Sequence, residues 1–247
     1  MPDVVGWRSK VGVIIPSTNT VVEHDVAMMK PAGVTFHAGR MHITSPGLAD
    51  DTAFEKLLEQ ITATIDDAVD RVMTCAPDYL MMGMSAGTFW GGVQGNADFV
   101  RRLQEKSGLP VSTGASACRA ALERYEVSRI AVFSPYQPVA DVQVGQYFRE
   151  AGFDVAAVTG LRCASATAIA EVTPTQIGST IDALNAPDVE AIVQVGTNLS
   201  FVRQADALEG YLGKPVIAIN AATLWHTLRT QGFDDRIEGA TRLLRDF

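Results

Sequence analysis

Short apolar runs alternate with helix-period segments along much of this chain. Residues 11–15 form a β-branched run that predicts a strand, and residues 34–43 alternate well enough to predict a second one. From Phe54 to Val72, apolar residues recur at helical spacing, which predicts a long amphipathic helix leading to a strand at Tyr79. Strands that alternate with helices are typical of parallel sheets, so the pattern predicts an α/β fold.

Two of the predicted strands end in the same way. Each is an apolar run that begins after an acidic residue and stops at a glycine, with a hydroxyl or amide residue close behind. The residues at these ends are Gly83, Met84 and Ser85 in the first strand, and Gly196, Thr197 and Asn198 in the second. Ligands of α/β proteins bind at the carboxyl ends of parallel strands, so we expect a site here.

The second half of the chain repeats the first. Residues 130–137 resemble the opening strand and its proline-bearing loop, and similar spacings separate Gly83 from Gly196 and Pro110 from Pro215. An internal duplication explains both observations and predicts two parallel sheets whose loops enclose a cleft. We expect the last long helix to pack on the first half. The predicted domains are therefore residues 1–120 with 218–247, and residues 121–217.

The net charge and hydropathy of the chain limit the kinds of partner that the protein can bind. The 247 residues carry a formal net charge of −8, whereas nucleic acids and anionic membranes bind basic surfaces. A small-molecule ligand is favoured over either partner. No apolar run approaches the ~20 residues that span a bilayer, and the first ten residues lack the pattern of a signal peptide. We therefore expect a cytoplasmic protein.

The cysteines suggest neither a disulfide framework nor a metal site. Cys75, Cys118 and Cys163 are odd in number and show no CxxC spacing. Small buried side chains are the simplest interpretation. Cys163 follows a connecting segment, where a reactive thiol stays an alternative.

The loop at residues 16–20 combines hydroxyl groups, one carboxamide and backbone N–H groups ahead of a predicted helix. Such a loop suits a carboxylate, although a helix cap without a ligand would use the same residues. Ser85 and Tyr136 lie at equivalent strand ends and are also uncharged donors. Several neutral donors can bind an anion without the cost of burying a cation.

Four segments occur in an order and spacing that resemble a known family. They are this loop, the strand end at 82–85, the loop at 134–136 and the turn at 196–198. They are similar to the maleate cis-trans isomerase and arylmalonate decarboxylase branch of the aspartate/glutamate racemase superfamily. The resemblance implies two pseudo-symmetric Rossmann-like domains, a small mono- or dicarboxylate in the interdomain cleft, no metal or organic cofactor, and a homo-oligomer. It also implies that Asn19, Ser85 and Tyr136 contact the substrate.

The chain departs from this family where the catalytic thiols belong. Racemases and maleate isomerases of the superfamily place a cysteine at each strand end, and arylmalonate decarboxylases keep only the second. Gly83 aligns with the first position and Gly196 with the second, so both thiols are missing. A glycine cannot replace a thiolate as nucleophile or proton carrier. Carboxylate recognition is thus better supported than thiol-based proton transfer.

Other groups would have to supply the chemistry. We expect Tyr136 to act as an acid, and Ser85 or Thr197 to act as a nucleophile if a base is near. His24 and His42 are the candidates for that base, and Glu23 and Asp25 lie next to His24. We expect Glu23 to be the carboxylate that faces the cleft. Most such helix-surface residues are merely solvated. The expected substrate-binding residues are Ser17, Asn19, Gly83, Met84, Gly196, Thr197 and Asn198.

Three functions remain open on sequence grounds. The first is an isomerase or decarboxylase-like enzyme that acts on a small (di)carboxylic acid without paired cysteines. The second is a hydrolase on the same scaffold that uses a hydroxyl group or an activated water. The third is a carboxylate-binding protein without activity.

Overall fold

The computed structural model describes residues 3–247 and contains two parallel four-stranded sheets. The strands of the first sheet are β1 (Ser9–Pro16), β2 (Val34–Met41), β3 (Tyr79–Met82) and β4 (Val111–Ser112). Those of the second are β5 (Arg129–Ser134), β6 (Asp154–Gly160), β7 (Ala191–Gln194) and β8 (Val216–Ala218). The strand order is β2-β1-β3-β4 in one sheet and β6-β5-β7-β8 in the other, so the two sheets have the same topology.

Helices connect the strands of both sheets. They are α1 (Val22–Met29), α2 (Asp51–Met73), α3 (Ala86–Phe89), α4 (Gly92–Ser107), α5 (Gly114–Arg124), α6 (Pro138–Glu150), α7 (Pro174–Leu184), α8 (Val202–Leu212), α9 (Ile219–Thr230) and α10 (Arg242–Asp246). Helix α2 buries Phe54, Leu57 and Ile61 along one stripe, as its sequence period requires.

The paired strands end together at one edge of each sheet. In the first sheet, Ile14 of β1 lies beside Met82 of β3, and the chain then continues into Pro16 and Gly83. In the second, Phe133 of β5 lies beside Gln194 of β7, just before Pro135 and Gly196. The topology therefore brings the four loops identified in the sequence to two sheet edges.

The α/β fold with two parallel sheets is confirmed. The predicted strands and helix of the first half are present with shifted ends; β2, for example, ends at Met41 and not at residue 43 as expected. The sequence pattern did not predict α6, β6, α7 or α8 individually. Strand β6 carries only a short apolar run, residues 155–158, and as an edge strand it is no more than half-buried.

Helix α9 follows β8 of the second sheet yet packs mainly on the first half. Its partners include α5, α1, β3 and β4. Its first turn is almost wholly buried, including the polar residues Asn220 and Thr223. These contacts agree with a first domain that includes the C-terminal segment as well as the first half of the chain. The domain boundaries at 120 and 217 stay a prediction.

Candidate active site

A small cavity lies where the ends of β1, β3, β5 and β7 meet. Its volume is about 50 Å³, which is room for roughly four water molecules. Polar lining comes from Thr18, Asn19, Ser85, Tyr136, Gly196, Thr197 and Asn198, and apolar lining from Pro16, Leu57, Ile61, Met84, Ala86, Ala166 and Ile169. None of these lining residues carries a charge at neutral pH.

Ser85 and Tyr136 join the two halves across this cavity. The Ser85 Oγ lies 2.5 Å from the phenolic oxygen of Tyr136, and it also accepts a hydrogen bond from the Thr197 N–H at 3.3 Å. Tyr136 is buried, and burial raises the pKa of its phenol well above the ordinary value, with a further contribution from the charge of Asp141. The phenol therefore keeps its proton at neutral pH and is available as a donor.

Asn19 and Asn198 connect the first loop to the last turn. The Asn19 Oδ1 accepts from the N–H groups of Val21 and Val22, both at 3.0 Å, and its Nδ2 donates to Thr197 Oγ1 at 3.3 Å. Asn198 Oδ1 in turn accepts from the Thr20 N–H at 2.9 Å. The carboxamides hold both loops against the cavity, which explains their burial.

Several backbone donors of the cavity lining have no acceptor within residues 3–247. They are the N–H groups of Thr18, Met84, Ser85, Ala86, Gly196 and Asn198. Most of these residues are buried, and buried N–H groups normally have an acceptor. Neutral hydroxyl and N–H donors around an uncharged space have the chemistry to bind an anion.

Among the expected binding residues, the structure brings Asn19, Met84, Gly196, Thr197 and Asn198 to the cavity. The expected catalytic residues Ser85 and Tyr136 also line it. Two expected binding residues do not. Ser17 accepts from the Ile43 N–H through its hydroxyl, and Gly83 contributes a carbonyl that accepts from Thr197 Oγ1 at 2.9 Å.

The expectation that Glu23 faces the cleft is wrong. Its carboxylate forms an ion pair with Arg40 and is half exposed beside a separate surface depression that also includes His37. The reason is that Arg40, on the neighbouring strand β2, also donates to the carbonyls of Ser17 and Asn19 and so draws Glu23 to the outside. His24 and His42 do not line the cavity either.

Sequence reasoning missed the role of Asn220, and Asp25 was considered only as a neighbour of His24. The Asn220 Nδ2 donates to Asp25 Oδ2 at 2.8 Å and to the Thr197 carbonyl at 2.9 Å, and both side chains are buried. Burial raises the pKa of Asp25 to about 6. A polar pair between distant helices leaves no local sequence pattern, so only the tertiary contact shows it.

Comparison with known families and structures agrees with this architecture. The family model described as arylmalonate decarboxylase matches residues 11–244. The chain belongs to the arylmalonate decarboxylase family.

Named relatives of this family member include isomerases and a decarboxylase. A maleate isomerase of Pseudomonas putida (strain KT2440) is 25% identical over 95% of this chain and 96% of its own length. The arylmalonate decarboxylase of Bordetella bronchiseptica is 24% identical over 90% of both chains. Both relatives are enzymes, so an enzyme of the isomerase or decarboxylase type is supported.

A solved structure shares the fold. It is the Nocardia farcinica maleate cis-trans isomerase, as a cysteine-to-serine mutant with a covalently bound succinylcysteine intermediate. The TM-score is 0.87 at 21% identity, with 96% of this chain and 98% of that chain covered. The likeness confirms the α/β fold with two parallel sheets.

In this family member, the two aligned glycines leave no space for a side chain. A Cβ built on Gly83 would lie 2.2 Å from Ile15 Cγ2, inside the first half. A Cβ on Gly196 would lie 2.4 Å from Pro135 Cδ, and Gly196 has a φ of +122°. A cysteine at either position would require neighbouring atoms to move.

The three cysteines lie elsewhere. Within residues 3–247 none lines the cavity; Cys118 is buried in α5, and Cys163 borders a separate depression near Arg162 and α7. Burial raises the pKa of both thiols, so neither is poised as a thiolate at neutral pH.

Residues 3–247 contain no group of three or more His, Cys, Asp or Glu side chains placed to hold a metal ion. Nor does any helix in that range combine the length and apolar character needed to cross a bilayer.

Proposed function

We propose that this family member acts on a small carboxylic acid between its two halves, by isomerase or decarboxylase-like chemistry without a catalytic cysteine. The observation that supports this most strongly is the uncharged cavity, with the Ser85–Tyr136 hydroxyl pair on one side and unpaired N–H groups around it. The reaction we propose needs neither metal nor organic cofactor.

Substrate binding uses neutral donors. A carboxylate in the cavity accepts hydrogen bonds from backbone N–H groups of the two strand ends, including those of Ser85 and Asn198. Hydrogen bonds to an ionised acceptor are stronger than neutral ones, so the bound carboxylate does not need a buried lysine or arginine. The free protein also avoids the cost of a buried cation without a partner.

Decarboxylation fits the cavity better than double-bond isomerisation. Loss of CO₂ from a malonate-type acid breaks one C–C bond and leaves its electron pair on an enediolate. The same N–H groups that bind the carboxylate stabilise that enediolate as charge shifts onto its oxygens. Isomerisation by nucleophile addition would need an ionised nucleophile, and none lines the cavity.

The enediolate then takes a proton at its α-carbon. Tyr136 supplies this proton in our proposal, because its phenol stays protonated at neutral pH and contacts Ser85 Oγ at 2.5 Å. Water restores the phenol after CO₂ and the product acid leave. Atoms balance, since one carboxylate group is exchanged for one proton.

A hydrolase is not favoured by this geometry. Ser85 has two partners, the Tyr136 hydroxyl and the Thr197 N–H, and neither can remove its proton at neutral pH. Thr197 Oγ1 donates to a backbone carbonyl of the first half. A serine or threonine nucleophile needs an adjacent base, and the cavity lining includes no His, Asp or Glu.

The test is CO₂ release from a panel of substituted malonates, combined with deuterium uptake at the α-carbon of the product acids in D₂O. We expect Tyr136→Phe to lower kcat/KM by about 100-fold or more, the usual effect of removing a proton donor. Tyr211→Phe is the matched control, because that side chain is 82% exposed and lies in α8.

Two outcomes would contradict the proposal. Ligand-induced stabilisation without turnover of any acid would make this a carboxylate-binding protein. Loss of activity after alkylation of Cys163 with iodoacetamide, prevented by the substrate, would show that a thiol enters the reaction. A homo-oligomer, which the family resemblance implies, is a separate prediction that sedimentation velocity checks.

A further inference from the structure

Polar side chains hold the backbone of Tyr136 on both sides. Its N–H donates to Ser134 Oγ at 3.0 Å, and its carbonyl accepts from Arg162 Nη1 at 2.6 Å. Asp141, in the first turn of α6, joins these two partners. Its Oδ1 accepts from Ser134 Oγ and its Oδ2 accepts from the same Arg162 nitrogen, both at 2.5 Å. We refer to Ser134, Asp141 and Arg162 as the Tyr136 clamp.

The two charged members of the Tyr136 clamp differ in their exposure. The Asp141 side chain is 9% exposed, whereas that of Arg162 is 42% exposed and borders the depression next to α7. Burial raises the pKa of Asp141, and the hydrogen bonds from Ser134 and Arg162 oppose this rise. The guanidinium is therefore the member of the clamp that solvent reaches, and it neutralises a nearly buried carboxylate.

The backbone around Arg162 is shaped to bring its guanidinium onto Tyr136. Arg162 has a φ of +55°, in the left-handed region that favours glycine. Two residues earlier, a Cβ on Gly160 would lie 2.5 Å from Asp141 Oδ2 and 2.6 Å from the Tyr136 carbonyl oxygen. Such backbone strain persists only where the surroundings fix it, and it is concentrated at functional sites.

The clamp determines where the phenol of Tyr136 lies. The ring is buried and packs edge-on against Phe54 with centroids 5.3 Å apart, and its hydroxyl group lies 2.5 Å from Ser85 Oγ. A closely packed ring on a fixed backbone leaves the phenol oxygen one position. Ser134, Asp141 and Arg162 do not line the cavity themselves. They therefore act on the site through Tyr136.

We propose that Asp141 and Arg162 are positioning residues, which hold Tyr136 so that its phenol can deliver a proton to the α-carbon of the bound acid. This inference rests on the proposed function, in which Tyr136 is the proton donor. The carboxylate is bound in that function by backbone N–H groups of other loops, including those of Ser85 and Asn198. Loss of the clamp should thus slow proton delivery and leave carboxylate binding intact.

Arg162→Gly tests the clamp. The substitution removes the guanidinium, and glycine adopts a φ of +55° without strain, so the backbone keeps its path. We expect kcat for malonate decarboxylation to fall by about 10- to 100-fold, the cost of a small misplacement of a reacting group. KM should not rise. The solvent deuterium isotope effect on kcat should increase, because proton delivery becomes the slow step.

Glu126→Gly is the matched control. Glu126 also has a left-handed backbone, with a φ of +56°, and its side chain is exposed. It lies between α5 and β5, so it precedes the strand that Tyr136 follows. The same change from a side chain to glycine should leave kcat, KM and the isotope effect unaltered there.

Added guanidinium chloride distinguishes a positioning role from general damage to the fold. At millimolar concentration it should restore part of the kcat of Arg162→Gly, because the space that the arginine leaves opens to the depression near Cys163. Sodium chloride at the same concentration should not. Unfolding curves of both glycine variants, recorded with and without the salts, show whether a change in stability accompanies the rescue.

A double-mutant cycle tests whether Asp141 and Arg162 act together. Asp141→Asn keeps an oxygen for the Ser134 hydroxyl and removes the charge that pairs with Arg162. Because both residues act through Tyr136, the double variant should lose little more kcat than the more damaging single variant. Additive losses would mean independent structural roles and would overturn the proposal.

The remaining outcomes separate this inference from the proposed function. Fluorine NMR of fluorotyrosine-labelled protein follows the signal that Tyr136→Phe removes, and this signal should shift in Arg162→Gly and return with guanidinium. A shift without turnover of any malonate by the unmodified protein keeps the clamp and removes the chemistry. Turnover together with an unshifted signal does the reverse. An unchanged kcat in Arg162→Gly, a fall accompanied by a higher KM, or a loss that guanidinium does not reverse also overturns the proposal.

Discussion

Gly196 illustrates how one residue can restrict what its position in a site can hold. Its φ of +122° belongs to a region that residues with a side chain rarely adopt, and the Pro135 ring occupies the space where a Cβ would point. Two independent obstacles therefore oppose a side chain at position 196. Pro135 and Gly196 act as a pair, since the ring packs where the glycine leaves room.

Gly196→Ala should lower the free energy of unfolding by about 2–4 kcal/mol, because backbone strain of about 1–3 kcal/mol adds to the clash with Pro135. Gly210→Ala is the matched control. That glycine lies in α8 with open space around its Cβ position, so alanine there should stabilise by up to about 1 kcal/mol. Urea denaturation measures both, and equal effects of the two substitutions would refute the strain argument.

At the scale of elements, one side chain at the start of α1 contacts both the helix and the opposite half of the molecule. The Asn19 carboxamide oxygen caps the helix by accepting from Val21 and Val22, while its Nδ2 faces Thr197 of the other half. One side chain thus orders the helix end and presents a donor group at the cavity. The two tasks depend on different atoms, so they can be separated by substitution.

Asn19→Asp keeps the oxygen acceptor and loses the donor, so α1 should persist while carboxylate binding is lost. We expect at least a tenfold weaker Kd for methylmalonate, since a carboxylate at the site repels the ligand. Asn19→Ala removes the cap as well and should cost about 1 kcal/mol of stability. Calorimetric titration and thermal unfolding measure the two effects; unchanged affinity in Asn19→Asp would place the anion elsewhere.

At the scale of the whole molecule, α9 ties the two sheets together through one buried carboxamide. Asn220 donates to Asp25 of the first half and to the Thr197 carbonyl of the second. Burial raises the pKa of Asp25 to about 6, although the hydrogen bond from Asn220 and the charges of His24 and Arg203 oppose this rise. Between pH 3.8 and about 6, the folded protein therefore holds a proton on Asp25 that the unfolded chain releases.

The sign of the pH dependence follows from that difference. Between the ordinary pKa of 3.8 and about 6, the folded state binds more protons than the unfolded state, so stability decreases as pH rises. Across this pH range, the ionisation of Asp25 lowers the free energy of unfolding by about 3 kcal/mol in total. Asp25→Asn should remove it, so the variant should lose less stability than the unmodified protein between pH 4 and pH 7.

Denaturation curves at several pH values test this expectation. Asp182→Asn, an exposed position in α7, is the matched control and should follow the unmodified protein. Parallel pH profiles for Asp25→Asn and the unmodified protein would show that Asp25 does not titrate differently in the two states. Other buried carboxyl groups, such as Glu209, contribute equally to both profiles and cancel in the comparison.

Much of the fold and part of the site could be predicted without coordinates. Hydrophobic periodicity and turn-forming residues depend only on neighbours along the chain. They are enough to predict the α/β class, the strand ends at 83–85 and 196–198, and the loop at 16–20. Asn19, Ser85, Tyr136 and Thr197 are expected at the cleft from these strand ends together with the family resemblance, and the structure brings them to one cavity. Edge strand β6 was missed because its burial is incomplete.

By itself, the sequence determined which loops gather at the strand ends and which donor groups they carry, because strand and helix periods depend on neighbours along the chain. Only the tertiary structure decided the partners of those groups: Ser85 with Tyr136, Glu23 with Arg40, and Asn220 between Asp25 and Thr197. Each of these contacts joins residues of different elements. Their geometry depends on how the sheets and helices pack, which no local pattern records.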